Sequence, residues 1–178
     1  MARILIIDDN ETMREGMAAT IRRMGHEGVT AAGGAEGLAL MRKQAPDFLI
    51  TDLKMEGVDG LDVVEAAKRI DPSCPSLIVT AFGTVETAVE AMRLGAMDFL
   101  QKPFAPEVLR LKVERALEMR REKLSRQRAE AEVEVLRADA AAGYVPNEMV
   151  GQSPLMLALF EAIAKVAASD VVVHVSGE

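Results

Sequence analysis

Three carboxylates, one hydroxyl and one ammonium recur at equivalent places in this sequence. Asp8 and Asp9 follow Ile4-Leu5-Ile6-Ile7, and Asp52 follows Phe48-Leu49-Ile50-Thr51. Thr80 follows Leu77-Ile78-Val79, and Lys102 follows Phe99-Leu100, past Gln101. Ligand sites of open α/β sheets lie outside the carboxyl ends of the strands. Carboxylates crowded there repel, so either a pKa rises or a cation neutralises them. All-oxygen donors suit a hard ion, and Mg²⁺ combines one or two carboxylates with waters and phosphate oxygens. Asp9 and Asp52 are read as direct ligands and Asp8 as acting through water. A carboxylate can also be the nucleophile of phosphoryl transfer, giving an aspartyl-phosphate. That reaction needs positioning and charge neutralisation more than covalent help. Asp52, alone at the end of a central apolar strand, is the candidate nucleophile. Lys102 supplies positive charge, and the Thr80 hydroxyl can donate to a phosphoryl oxygen.

Taken singly, each residue has a plainer reading. Asp8-Asp9 could cap a helix, Thr80 could end a strand, and Lys102 could be a surface lysine. Their joint occurrence at successive strand ends favours a site.

The elements that must hold these groups alternate. Strands are expected at Arg3–Ile7, Glu27–Ala31, Phe48–Asp52, Ser76–Thr80 and Met97–Leu100. Helices are expected at Thr12–Met24, Ala35–Gln44, Leu61–Ile70 and Val85–Leu94, with Thr84 capping the last. Strands alternating with helices of this length indicate βαβ units and a parallel sheet.

Composition sets the outer limits. The chain has 178 residues, 49% of them hydrophobic but only 3% aromatic, so aliphatic side chains and Met must fill the core. The net charge of −7 argues against non-specific nucleic-acid binding by the whole chain. Cys74, the one cysteine, cannot form an internal disulfide. No apolar stretch nears the ~20 residues that span a bilayer, and the start lacks a signal-peptide pattern. A cytoplasmic protein with no membrane partner is expected.

Beyond Pro106 the pattern changes to one long helix reaching about Ala142, rich in Glu, Arg, Lys, Ala and Leu. Leu117, Leu124, Ala131 and Ala138 recur every seven residues, but Arg120, Gln127 and Glu134 spoil the second seam. A solvated connecting helix and a weak dimer helix fit this spacing equally. Gly143 and Pro146 break the helix; a helix over Leu155–Ala168 and a strand over Val171–Val175 should come next. One helix and one strand cannot enclose a core.

The motifs resemble those of a CheY-like receiver domain, and more closely the receiver of NtrC-type, sigma-54-dependent response regulators. The matching residues are Ile6-Ile7-Asp8-Asp9, Thr51-Asp52-Leu53-Lys54-Met55, Asp59-Gly60, Val79-Thr80-Ala81-Phe82-Gly83-Thr84, Gly95 to Leu100 and Lys102-Pro103-Phe104. The resemblance implies an α/β, flavodoxin-like, doubly wound sheet of five parallel strands with helices on both faces. It implies Asp52 as phosphoacceptor, and Asp8, Asp9, Asp52 and the Lys54 backbone carbonyl as Mg²⁺ ligands. It also implies Thr80 and Phe99 as a switch pair and a cis peptide before Pro103. One departure is Glu56, where many receivers have Pro. Met149 to Pro154, Ile163 to Ala167 and Ser169 to Glu178 look like the opening of the AAA+ domain of the same regulators. The expected division is a receiver over 1–120, a helical linker over 121–145 and an AAA+ fragment over 146–178. The chain stops short of the Lys of a phosphate-binding loop, so a truncated or naturally short protein without ATPase activity is expected. The implied partners are a sensor histidine kinase and a second copy, paired through the helix 4–strand 5–helix 5 face and the linker. An AAA+ domain, sigma-54 RNA polymerase and DNA would be met only through parts this chain lacks.

Three rivals stand beside this reading. A Mg²⁺-dependent phosphatase with an Asp nucleophile wants a second Asp where Lys54 stands. A flavin binder would find its phosphate repelled by Asp8-Asp9. A dimerisation module that takes no phosphate is the third.

Overall fold

The computed structural model describes residues 1–81, 85–142 and 153–167, together with Val172 and His174. The chain falls into two compact units, Met1–Ser125 and Arg126–Glu178.

The first unit alternates strand and helix: β1 (Arg3–Ile7), α1 (Glu11–Arg23), β2 (Glu27–Ala31), α2 (Gly34–Lys43), β3 (Phe48–Asp52), α3 (Gly60–Ile70), β4 (Ser76–Thr80), α4 (Val85–Arg93) and β5 (Asp98–Gln101). The strands form one sheet in the order β2-β1-β3-β4-β5, all neighbours parallel. Parallel neighbours need crossover connections, and here the helices supply them. The sheet is covered on both faces, as all-parallel sheets require.

Strand alternation decides which side chain enters which layer. Ile4, Ile6, Phe48, Ile50, Leu77 and Val79 pack with Met17 and Ile21 of α1 and with Leu109 and Val113 further along the chain. Leu5, Ile7, Leu49 and Ile78 pack on the other side with Met41 of α2 and with Val63, Val64 and Ala67 of α3. All five residues of β3 and all five of β4 are buried, so their apolar runs carry no solvent face.

The last strand lies one residue later than expected, at Asp98–Gln101, because Leu77 pairs with Asp98 and Thr80 with Gln101. The proposed Thr84 cap lies outside the described residues. The long helix, α5 (Pro106–Ala142), is continuous across the break between the units. Within the first unit its Leu109, Val113, Ala116 and Leu117 are buried.

In the second unit the described residues form the end of α5 and α6 (Pro154–Ala167), with the Ser153 hydroxyl accepting the Met156 N–H at 3.3 Å. Leu155 and Leu157 are exposed. Of the strand expected over Val171–Val175, only Val172 and His174 are described, and neither is in a strand. The expected break at Gly143 and Pro146 lies outside the described residues.

Candidate functional site

In the strand order, β1 has β2 on one side and β3 on the other, so the direction in which successive strands are added to the sheet reverses beside it. That switch point opens a crevice at the carboxyl ends of β1 and β3. Asp8 and Asp9 follow β1 and Asp52 ends β3, so both sides of the crevice carry carboxylates. A cleft of about 300 Å³ opens there, lined by Asp9, Asn10, Asp52, Lys54 and Lys102 among others.

Local structure fixes each group. Asn10 caps α1, its side chain accepting the Met13 N–H at 3.0 Å. The Asn10 N–H in turn donates to Asp8 Oδ1 at 2.9 Å. Arg14, one turn into α1, donates through Nη1 to the Asp8 carbonyl at 2.7 Å. Asp8 is therefore held through both its carboxylate and its backbone carbonyl, and it is fully buried while Asp9 is exposed. Asp52 Oδ1 accepts the Leu53 N–H at 2.6 Å. Gly60 opens α3 directly over the Asp52 carbonyl, where a Cβ would collide with backbone.

Lys102 joins the two sides. Its Nζ lies 2.7 Å from Asp8 Oδ2 and 2.7 Å from Asp52 Oδ2. Its backbone N–H donates to the Thr80 carbonyl at 2.8 Å, which holds the residue at the end of β4. The Lys102-Pro103 peptide is cis, as the resemblance implies. Burial works against the ammonium's charge, but the bonds to Asp52 and Asp8 outweigh it and raise its pKa above the ordinary 10.5. The repulsion expected among the carboxylates is thus met by Lys102 itself.

The three acids fit a hard cation. One carboxylate oxygen from each of Asp8, Asp9 and Asp52 can be chosen so that all lie within 4.8 Å of one another. An all-oxygen donor set of this kind suits Mg²⁺ rather than a soft metal.

The remaining candidates lie close by. Thr80 is fully buried at the end of β4. Lys54 is exposed at the cleft's rim. Phe99 faces away from the α1 side, is half-buried, and packs on the layer containing Ile78, Ala91 and Ala96. The sequence reading missed Asn10 and Arg14. Asn10 carries a legible signal, an amide side chain just before a helical apolar pattern. Arg14 carries none, because its partner is a backbone carbonyl.

Residues 4–114 match the family described as the response regulator receiver domain. The chain belongs to that family. Over 175 residues it is 35% identical to the transcriptional regulatory protein ZraR of Salmonella typhimurium, covering 98% of this chain and 37% of that one. The chain therefore spans little more than a third of the length of such relatives. Among solved structures, the receiver domain of NtrX from Brucella abortus superposes with a TM-score of 0.61 at 38% identity, covering 65% of this chain and 98% of that one. The beryllofluoride-activated NtrC4 receiver domain dimer gives 0.65 at 29% identity, covering 67% of this chain and 99% of that one. The receiver fold and the two-component class of the chain are thereby fixed. Among the described residues, no helix is long and apolar enough to cross a membrane.

Proposed function

We propose that Asp52 accepts a phosphoryl group from the phosphohistidine of a sensor kinase, and that the first unit changes conformation in response. The N–P bond of the donor breaks as an Asp52 oxygen bonds to phosphorus, and the leaving imidazole keeps the electron pair. Asp8, Asp9, Asp52 and the Lys54 carbonyl would hold Mg²⁺. When bound, that ion supplies positive charge for the equatorial phosphoryl oxygens. The observation that carries the reading is Lys102, bonded at 2.7 Å to both Asp8 and Asp52 in a crevice where three carboxylates converge.

The chain's own residues do the rest. Asp52 oxygen attacks from a strand end whose backbone is fixed in a buried sheet. Lys102 turns from the carboxylates to the incoming phosphoryl oxygens, and the Thr80 hydroxyl donates to another. Drawing Thr80 toward Asp52 vacates space that Phe99 enters. The result is a population shift set by local charge. No turnover of an external substrate beyond self-phosphorylation and dephosphorylation belongs to this role.

The output surface in this reading is the α4–β5–α5 face. Val89 and Met92 on α4 and Leu111 on α5 are exposed apolar side chains, suited to pairing with a second copy. We assign 1–120 to the receiver, 121–145 to the helical linker and 146–178 to the start of an AAA+ domain. The linker would relay the change to a sigma-54 activator ATPase, whose polymerase and DNA contacts lie elsewhere. The cytoplasm is the compartment we assign.

Incubation with acetyl phosphate and Mg²⁺ followed by intact-mass analysis tests the reading. Wild type should gain one phosphoryl group, and Asp52→Asn should gain none. Labelling retained by Asp52→Asn would overturn it, and catalytic turnover of many phosphate esters would instead favour an Asp-nucleophile phosphatase.

A further inference from the structure

The amino-terminal edge of the sheet, opposite Asp52, carries a second cleft with cationic walls. It measures about 190 Å³ and lies among Lys68 of α3, Ser73 and Pro75 before β4, Gly95 before β5, and Arg120 and Lys123 of α5. Lys68 Nζ donates to the Cys74 carbonyl at 3.3 Å, and Lys123 Nζ to the Pro72 carbonyl at 2.7 Å. These carbonyls are two residues apart, so the two ammonium groups converge on one short loop. Each ammonium has three N–H donors, and these bonds use one apiece.

The lysine on α3 is held in place. Gly95 has φ +97°, and a Cβ there would stand 3.0 Å from Lys68 Cε. The turn's missing side chain thus lets the Lys68 stem lie along it and deliver its ammonium to the cleft. Arg120 is differently engaged: its Nη1 is 2.8 Å from Asp71 and its Nε 3.3 Å from Asp47. Arg120 makes its close contacts with those two carboxylates, whereas Lys68 and Lys123 bond to backbone carbonyls and feel Asp71 only at longer range. Burial, and then the nearby Lys123 charge, lower the Lys68 pKa, with Asp71 opposing them.

We propose that this cleft binds a phosphate-class oxyanion between Lys68 and Lys123, and that the bound anion ties α5 to the α3–β4 loop. Met97 and Met119 line the same cleft, Met119 itself being exposed. The ligand would act on the helix that leaves the domain, from the edge remote from Asp52.

The test is a titration of the ¹⁵N-labelled chain with inorganic phosphate at constant ionic strength, without Mg²⁺. Saturable shifts are expected at the Ser73, Cys74 and Gly95 amides. The double variant Lys68→Gln, Lys123→Gln should keep the wild-type circular dichroism and lose affinity by at least about tenfold, the equivalent of one charge-assisted hydrogen bond. Shifts confined to the Asp52 edge would overturn the proposal. So would a non-saturating drift matched by sodium chloride, an adventitious ion only, or equal affinity in the double variant.

Discussion

Lys102 reaches Asp52 across the end of an intervening strand. Asp52 ends β3, Lys102 follows β5, and β4 lies between them, yet the ammonium and carboxylate are 2.7 Å apart. The lysine spans this gap because its backbone is bonded to the Thr80 carbonyl at the end of β4, from where its ammonium reaches the β1–β3 crevice. The same ammonium bonds Asp8, so one cation balances two carboxylates from opposite sides of the switch point.

Removing that cation should destabilise the metal-free protein. Lys102→Met leaves Asp8 and Asp52 facing each other without a counter-charge. Breaking a buried pair by deleting one partner costs about 3–5 kcal/mol, and the partly open cleft places this case near or below the lower end. Urea denaturation at neutral pH without metal should show the loss. Added Mg²⁺ should restore much of it, since a ligand that binds only the folded state stabilises it. Equal stability of variant and wild type would contradict the role given to Lys102.

The same pair sets an alkaline limit. The folded-state pKa of Lys102 is raised above the ordinary 10.5 by Asp52 and Asp8 against the opposing effect of burial. Its contribution is therefore complete below pH 10.5 and lost as pH rises through the higher folded value. Thermal melts across this range should fall in wild type and stay flatter in Lys102→Met.

An acid limit comes from the opposite edge of the sheet. Burial would push the Asp71 carboxyl up, but the Ser73 N–H, Arg120 and then Lys123 outweigh it and hold it below its ordinary 3.8. This stabilisation is present above pH 3.8 and is lost as pH falls through the lower folded value. Asp71→Asn should flatten the acid limb of the stability profile below that pH.

Arg120 anchors the departing helix. Its guanidinium meets Asp47, just before β3, and Asp71, just after α3, while Nε and Nη1 are sealed from solvent in poor hydrogen-bond alignment. Arg120→Met should speed amide exchange over residues 116–125 of α5 and leave β1 and β3 protected. Unchanged exchange there would show that Leu109, Val113 and Leu117 hold the helix unaided.

Gly60 should tolerate no side chain. A Cβ there meets the Asp52 carbonyl and the Leu53 backbone, so Gly60→Ala must push α3 away from β3. Overpacking of this kind costs about 1–3 kcal/mol. Denaturant midpoints should report that loss, with a parallel fall in Mg²⁺ affinity because the moved backbone carries Asp52.

Much of this arrangement was legible in the sequence because the chemistry comes directly after apolar runs. Asp8, Asp9, Asp52 and Thr80 each close or follow a buried strand, and a parallel sheet brings equivalent strand ends to one edge. The sequence did not reveal which carboxylates Lys102 would bond, since that depends on strand order and on a reach across β4. Arg14 and Arg120 were illegible for a related reason: one bonds a backbone carbonyl, and the other bonds acids distant in sequence. The shift of β5 to Asp98–Gln101 reflects register with β4, which apolar patterning does not encode. The apolar residues opening α5 marked the turns able to pack on the first unit: Leu109, Val113 and Leu117 are buried there, whereas Val108 and Leu111, which share that stretch, are exposed.

The central claim is that one particular carboxylate receives phosphorus. Borohydride reduction of the acetyl phosphate-treated protein, followed by peptide mass mapping, tests it at the residue. An acyl phosphate is reduced to an alcohol where it formed, so the account predicts homoserine at position 52 only, and only when Mg²⁺ was present. Reduction at Asp8 or Asp9, or an unaltered Asp52 in protein whose mass shows phosphorylation, would contradict it.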